Sequence, residues 1–127
     1  MKKLLLLLTL SLSLSVTQFK AQNVGLFEGT WIGQGYQINN NETWSILLSI
    51  VGENIVIDYP SLSCSARLTK VKMDKNKLFL TEKLTLANTC IDNGKVELEW
   101  LSPNEIRFKW SYSSGIPGSI ATLYKFN

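Results

Sequence analysis

The chain contains no histidine in its 127 residues and only two cysteines, Cys64 and Cys90. The first absence excludes Ser-His and Cys-His nucleophile pairs and any histidine-ligated zinc. Two distant cysteines supply too few ligands for a metal, so no metal-binding residues and no cofactor are expected. Catalysis would have to rest on carboxylates or a Ser-Lys pair, and no spacing in the chain points to either. A hydrolase would need two carboxylates across one cleft, roughly 5–10 Å apart. The expectation is a protein that binds rather than catalyses, with no catalytic residues.

A lasting excess of positive charge is missing too. Met1-Lys2-Lys3 opens a short basic start, Leu4 to Val16 is apolar apart from Thr and Ser, and Thr17-Gln18-Phe19-Lys20-Ala21 follows. This is the layout of a secretory signal peptide, and its apolar run is too short for a membrane span. Cleavage is expected after Ala21, leaving residues 22–127 as one domain in the periplasm or outside the cell. Three of the thirteen basic residues, Lys2, Lys3 and Lys20, belong to the leader. The remainder balances the ten acidic residues, so no nucleic-acid footprint is left. No membrane-spanning segment is expected in residues 22–127.

A domain this small buries a modest core and commonly needs a staple. Two cysteines in an exported chain read as one disulfide, Cys64–Cys90. Closing that loop restricts the unfolded chain by about 3 kcal/mol in the entropy model.

What is present is alternation. Eight strands are predicted at 28–38, 43–51, 54–59, 64–73, 77–86, 95–101, 105–112 and 119–126, with turn residues such as Gly52-Glu53, Asp74-Lys75-Asn76 and Ser102-Pro103-Asn104 between them. One hairpin can be read to its register. A loop at Ser102 to Asn104 sets Trp100 against Ile106, Leu98 against Phe108 and Val96 against Trp110. The same register sets Glu99 against Arg107 and Glu97 against Lys109. Eight antiparallel strands leave two bare edges unless the sheet closes, so a small all-β up-and-down barrel is expected, with a two-sheet β-sandwich as the alternative. An outer-membrane barrel is the rival, but several strands are short of its usual length and the tryptophans form no end girdles.

Two resemblances enter here. Gly29-Thr30-Trp31 at the head of the first strand resembles the G-x-W opening of lipocalin-like and avidin-like barrels, the calycins. The likeness implies that a basic residue of the last strand, here Lys125, lies across Trp31. The chain lacks the lipocalin T-D-Y turn motif. Tyr59-Pro60-Ser61-Leu62-Ser63-Cys64, Leu68, Phe79-Leu80-Thr81-Glu82 and Cys90 resemble a pattern in small exported bacterial domains of unsettled function. Ser65-Ala66 and Ala87 stand where those domains carry glycines. That likeness implies an extracytoplasmic β-domain with a disulfide, and no activity. Ser113-Ser114-Gly115 is similar to a loop of small periplasmic lysozyme inhibitors, without the basic and tyrosine residues that follow there.

Glu82 is the misplaced polar residue, sharing a strand face with Leu78, Leu80, Leu84 and Leu86. A buried carboxylate must be paired or protonated. A turn at Asp74 to Lys77 pairs Met73 with Leu78 and Val71 with Leu80, setting Thr69 opposite Glu82 with Arg67 diagonally beside it. Glu82 and Arg67 therefore form either a structural ion pair or a ligand anchor at the barrel mouth. Trp44, Trp110 and Tyr112 either line an apolar pocket or fill the interior, and a barrel this narrow favours filling. The expected function is an exported binding domain contacting a protein or envelope component through its loops. The alternative is a calycin-like carrier of one small apolar ligand.

Overall fold

The computed structural model describes residues 25–127, so the leader expected over 1–21 lies outside the described residues. Eight strands follow a short 3-10 turn, Gly25–Phe27: β1 Gly29–Gln37, β2 Thr43–Val51, β3 Asn54–Tyr59, β4 Cys64–Asp74, β5 Lys77–Leu86, β6 Lys95–Ser102, β7 Glu105–Ser111 and β8 Pro117–Phe126. Each strand pairs antiparallel with the next, and β1 pairs with β8, which closes the barrel and sets the sandwich aside. The disulfide Cys64–Cys90 is formed, with its Cα atoms 6.4 Å apart.

The β6–β7 hairpin has the register that its two faces dictate. Trp100 faces Ile106, Leu98 faces Phe108 and Val96 faces Trp110. Outside, Arg107 meets Glu99 at 2.8 Å and Lys109 meets Glu97 at 3.8 Å. These exposed pairs contribute about 0–1 kcal/mol each; their use is to penalise a slipped register. Inside, Leu98, Ile106 and Phe108 are fully buried. An apolar interior with charge outside is the reverse of a lipid-embedded barrel, whose interior is polar.

The β4–β5 pairing departs from the expected one. Met73 does face Leu78, but a bulge between Lys70 and Lys72 shifts the pairs from Lys70 to Ala66 by one residue, up to a second irregularity between Ala66 and Ser65. Val71 drops out of the ladder and stands 62% exposed. Leu68, not Thr69, then faces Glu82, and Arg67 faces Lys83. The cause lies in side-chain parity. Cys64, Ala66 and Leu68 point inward from even positions and Met73 packs against the core from an odd one. One extra residue between Leu68 and Met73 reconciles the two sets.

The two barrel ends differ. At one end the connections are short, 52–53, 75–76 and 103–104, and at the other they are longer, 38–42, 60–63, 87–94 and 112–116. The short-turn end is plugged. Phe27 is fully buried there, and its carbonyl accepts the Trp31 indole N–H at 2.9 Å. Lys125 Nζ lies 5.1 Å from the Trp31 ring and donates to the Glu28 carbonyl at 2.8 Å. The Lys125–Trp31 contact implied by the G-x-W resemblance is thus present. Gly29 holds a φ of +127°, and a Cβ there would fall 2.7 Å from Lys125 Cε. Only glycine allows both that backbone and that lysine.

Candidate functional site

The long-loop end contains a cavity of about 280 Å³. Its walls come from the ends of β1, β2, β3, β5, β7 and β8 and from the loops between them. Four of the five anticipated binding residues, Glu82, Trp44, Trp110 and Tyr112, line it. The fifth does not. The Val71 bulge turns Arg67 to the outer surface, where it donates to Asn54 Oδ1 at 2.8 Å. The ion pair with Glu82 is therefore absent, and the partners of Glu82 are other residues.

Glu82 is 3% exposed. Tyr59 OH donates to its Oε2 at 2.5 Å, and the Trp110 indole N–H donates to its Oε1 at 3.0 Å. Its own backbone N–H donates to the Gly94 carbonyl at 2.8 Å. Both carboxyl oxygens thus receive a donor, yet neither donor carries charge. Burial pushes the Glu82 carboxyl above its ordinary value of 4.5, against the lowering pull of Tyr59 and Trp110, and the Asp92 charge adds to the rise. Tyr59 is raised well above 10, first by burial and then by the Glu82 charge.

The aromatic walls rest on glycines. A Cβ at Gly118 would lie 2.5 Å from Trp110 Cε3, and one at Gly94 would overlap the Trp110 indole nitrogen. Gly94 and Gly118 therefore make the slot that aims Trp110 Nε1 at Glu82. Tyr112 meets Trp110 edge-on, with centroids 4.8 Å apart and planes at 74°. On the other side Trp44 lies over Gly35, where a Cβ would come within 2.8 Å of the ring. Trp44, Trp110 and Tyr112 are half-buried. The two tryptophans pack against the core on one side and with Tyr112 line the cavity on the other, so they only partly fill this end.

The fourth wall is the 87–94 loop. Cys90 ties it to Cys64 at the head of β4, and Asp92 ties it to β5. Asp92 Oδ1 accepts from the Leu84 backbone N–H at 2.9 Å, and Oδ2 meets Lys83 Nζ at 2.9 Å. These contacts, Lys83 first, hold the Asp92 carboxyl down at about 2. Ile91 and Cys90 close the cavity on this side.

Two residues at the site were not anticipated. Tyr59 ends the third strand as expected, and the structure adds that it is buried with its hydroxyl on Glu82. Ser119, on β8 beside Gln37 of β1, is 2% exposed, and its hydroxyl has no hydrogen-bond partner. A buried hydroxyl without a partner costs about 1–3 kcal/mol. Ser119 lines the cavity. The available sequence signal was its inward position in the β8 alternation with Ala121 and Leu123. Among the described residues, no group of three or more His, Cys, Asp or Glu side chains is placed to hold a metal. No helix among them is long and apolar enough to cross a membrane.

No protein-family model matches the chain, and no curated protein matches it. Among solved structures, the chain is similar to a redesigned β-barrel, mFAP1, bound to DFHBI, at 12% identity and a TM-score of 0.60. The match covers 81% of this chain and 98% of that one. The class that this likeness and the topology define is the small closed eight-stranded up-and-down β-barrel.

Proposed function

We propose that the protein is an exported, non-enzymatic binding domain that holds one small, mainly apolar molecule in the long-loop end of its barrel. The observation that carries this reading is Ser119. Its hydroxyl is buried, without a hydrogen-bond partner among the described residues, in the wall of a cavity that combines four aromatic rings with polar side chains such as Gln37, Glu42 and Glu82. Binding pockets combine apolar walls with a few converging polar groups, and about 280 Å³ falls just below their usual range of about 300–1,000 Å³, which suits a small ligand. The similar barrel mFAP1 binds a small molecule, DFHBI, and a barrel of this size has room for one such ligand. Catalysis is not part of the reading: Glu82, the buried carboxylate of the cavity, has both oxygens engaged by Tyr59 and Trp110. The disulfide suits an oxidising compartment, in keeping with the leader.

Contact with a protein or envelope component through the loops is the second reading. Its support is the exposed Ile38, Ile91 and Ile116 in the loops of the same rim. Native mass spectrometry of the protein purified from its own host separates the two. A small-molecule increment, lost in Ser119→Leu, is expected. A protein-sized increment unaffected by that change would favour the loops. A bare chain that also binds no fragment from an aromatic set would end the ligand reading.

A further inference from the structure

The walls of the cavity carry charge of one sign only. Glu42 and Glu82 line it, and among the described residues no lysine or arginine does. Nor does any cation among the described residues pair with Glu82, although buried carboxylates are ordinarily paired or neutral. Four aromatic rings, Trp44, Tyr59, Trp110 and Tyr112, surround the same space. The negative face of an aromatic ring attracts cations, most strongly where water is excluded. Ser119 adds an oxygen that can accept a hydrogen bond and has none to accept.

We infer that this pocket selects a small organic cation, an alkyl- or arylammonium ion bearing at least one N–H. The inference rests on the ligand reading above and narrows it. Ser119 Oγ lies out of solvent reach, so a turn of that side chain presents it to the ammonium N–H, while the same cation compensates the Glu82 carboxylate. The apolar substituent lies among Trp44, Trp110 and Tyr112. Each feature has a separate reason. A neutral apolar ligand would leave Glu82 unpaired, and an anion would meet two carboxylates with no cation to offset them. Tyr59 and Trp110 fix the Glu82 oxygens, so the countercharge is fixed before the ligand arrives. The raised Glu82 carboxyl fits a site that lacks its positive partner when empty.

The test uses the full chain with its disulfide intact and three probes of one shape: benzylammonium, benzyl alcohol and benzoate. Binding at pH 7 is read from the Trp110 indole N–H resonance and from calorimetry. Benzylammonium is expected to bind at least tenfold tighter than benzyl alcohol, with benzoate weakest. Glu82→Gln should erase that preference. Should that variant fold poorly, Ser119→Ala serves, and should weaken benzylammonium severalfold more than the alcohol. Benzyl alcohol or benzoate binding as tightly as the cation, with the Trp110 signal shifted, would overturn the cation inference and leave the pocket reading standing. No probe binding at millimolar concentration would overturn both.

Discussion

At the scale of single residues, the buried carboxyl and the buried hydroxyl should each cost stability at neutral pH. Glu82 has a folded-state value above its unfolded one, because burial favours the neutral acid. Its contribution is complete below 4.5 and is lost as pH rises through the raised value. Glu82→Gln imitates the neutral acid, since the introduced amide can accept from Trp110 and donate to Tyr59. The melting temperature of the parent should therefore fall as pH rises above 4.5, and that of the variant should fall less; parallel curves would mean burial does not govern this group. Asp92 keeps its charge throughout that window, since its own value is about 2. Its effect appears only at lower pH, where stability is lost as pH falls from 3.8 towards 2. Ser119 gives the second prediction. Removing an unpartnered buried hydroxyl by Ser119→Ala should raise the stability of the ligand-free protein by about 1 kcal/mol, measured by urea unfolding. A loss of that size would mean that the hydroxyl is bonded. Stability gained at the expense of binding is the usual relation at a functional position.

At the scale of elements, the sequence made most of the barrel legible because each strand carries its own alternation and each break its own turn residues. The β6–β7 hairpin was readable pair by pair, since charges on one face and apolar groups on the other agree on one register. The β4–β5 hairpin was not read correctly. Its inward residues change parity between Leu68 and Met73, a sign of the Val71 bulge, and unbroken alternation misplaced Arg67. The Glu82 partners lay further from reach, because Tyr59 and Trp110 come from strands remote in sequence. Glycines inside strands carried a signal that went unused, for such glycines mark a close approach by another group. Gly118→Ala should cost about 1–3 kcal/mol by overpacking Trp110 and should shift its indole N–H resonance. An unchanged resonance would mean that the slot is loose. The 87–94 loop is an element held by covalent and ionic ties. Replacing both cysteines by serine should cost about 3.5 kcal/mol for a separation of 26 residues. It should also accelerate hydrogen exchange in that loop more than at the short-turn end.

At the scale of the whole molecule, the barrel divides its labour along its axis. The short-turn end is packed: Phe27 plugs it, Trp31 is fully buried, and Lys125 clamps the first strand to the last. The long-loop end leaves space and keeps its polar groups incompletely satisfied. A closed sheet permits this division because closure leaves no free strand edge, so one end can stay open without exposing an unpaired strand. Stability and binding should then respond to different halves of the molecule. Phe27→Ala empties a fully buried site and should cost about 3–5 kcal/mol. Lys125→Met keeps the stem but loses the charge over Trp31 and the bond to Glu28, which should cost about 1–3 kcal/mol. Neither residue lines the cavity, so probe affinity under conditions where both variants stay folded should remain within twofold of the parent. Tyr112→Ala should do the reverse, leaving stability within about 1 kcal/mol while weakening every aromatic probe, because its half-buried ring belongs to the pocket wall and not to the plug. If plug variants weakened binding as much as wall variants do, the two ends would be one cooperative unit, and the pocket would depend on the rigidity of the entire barrel.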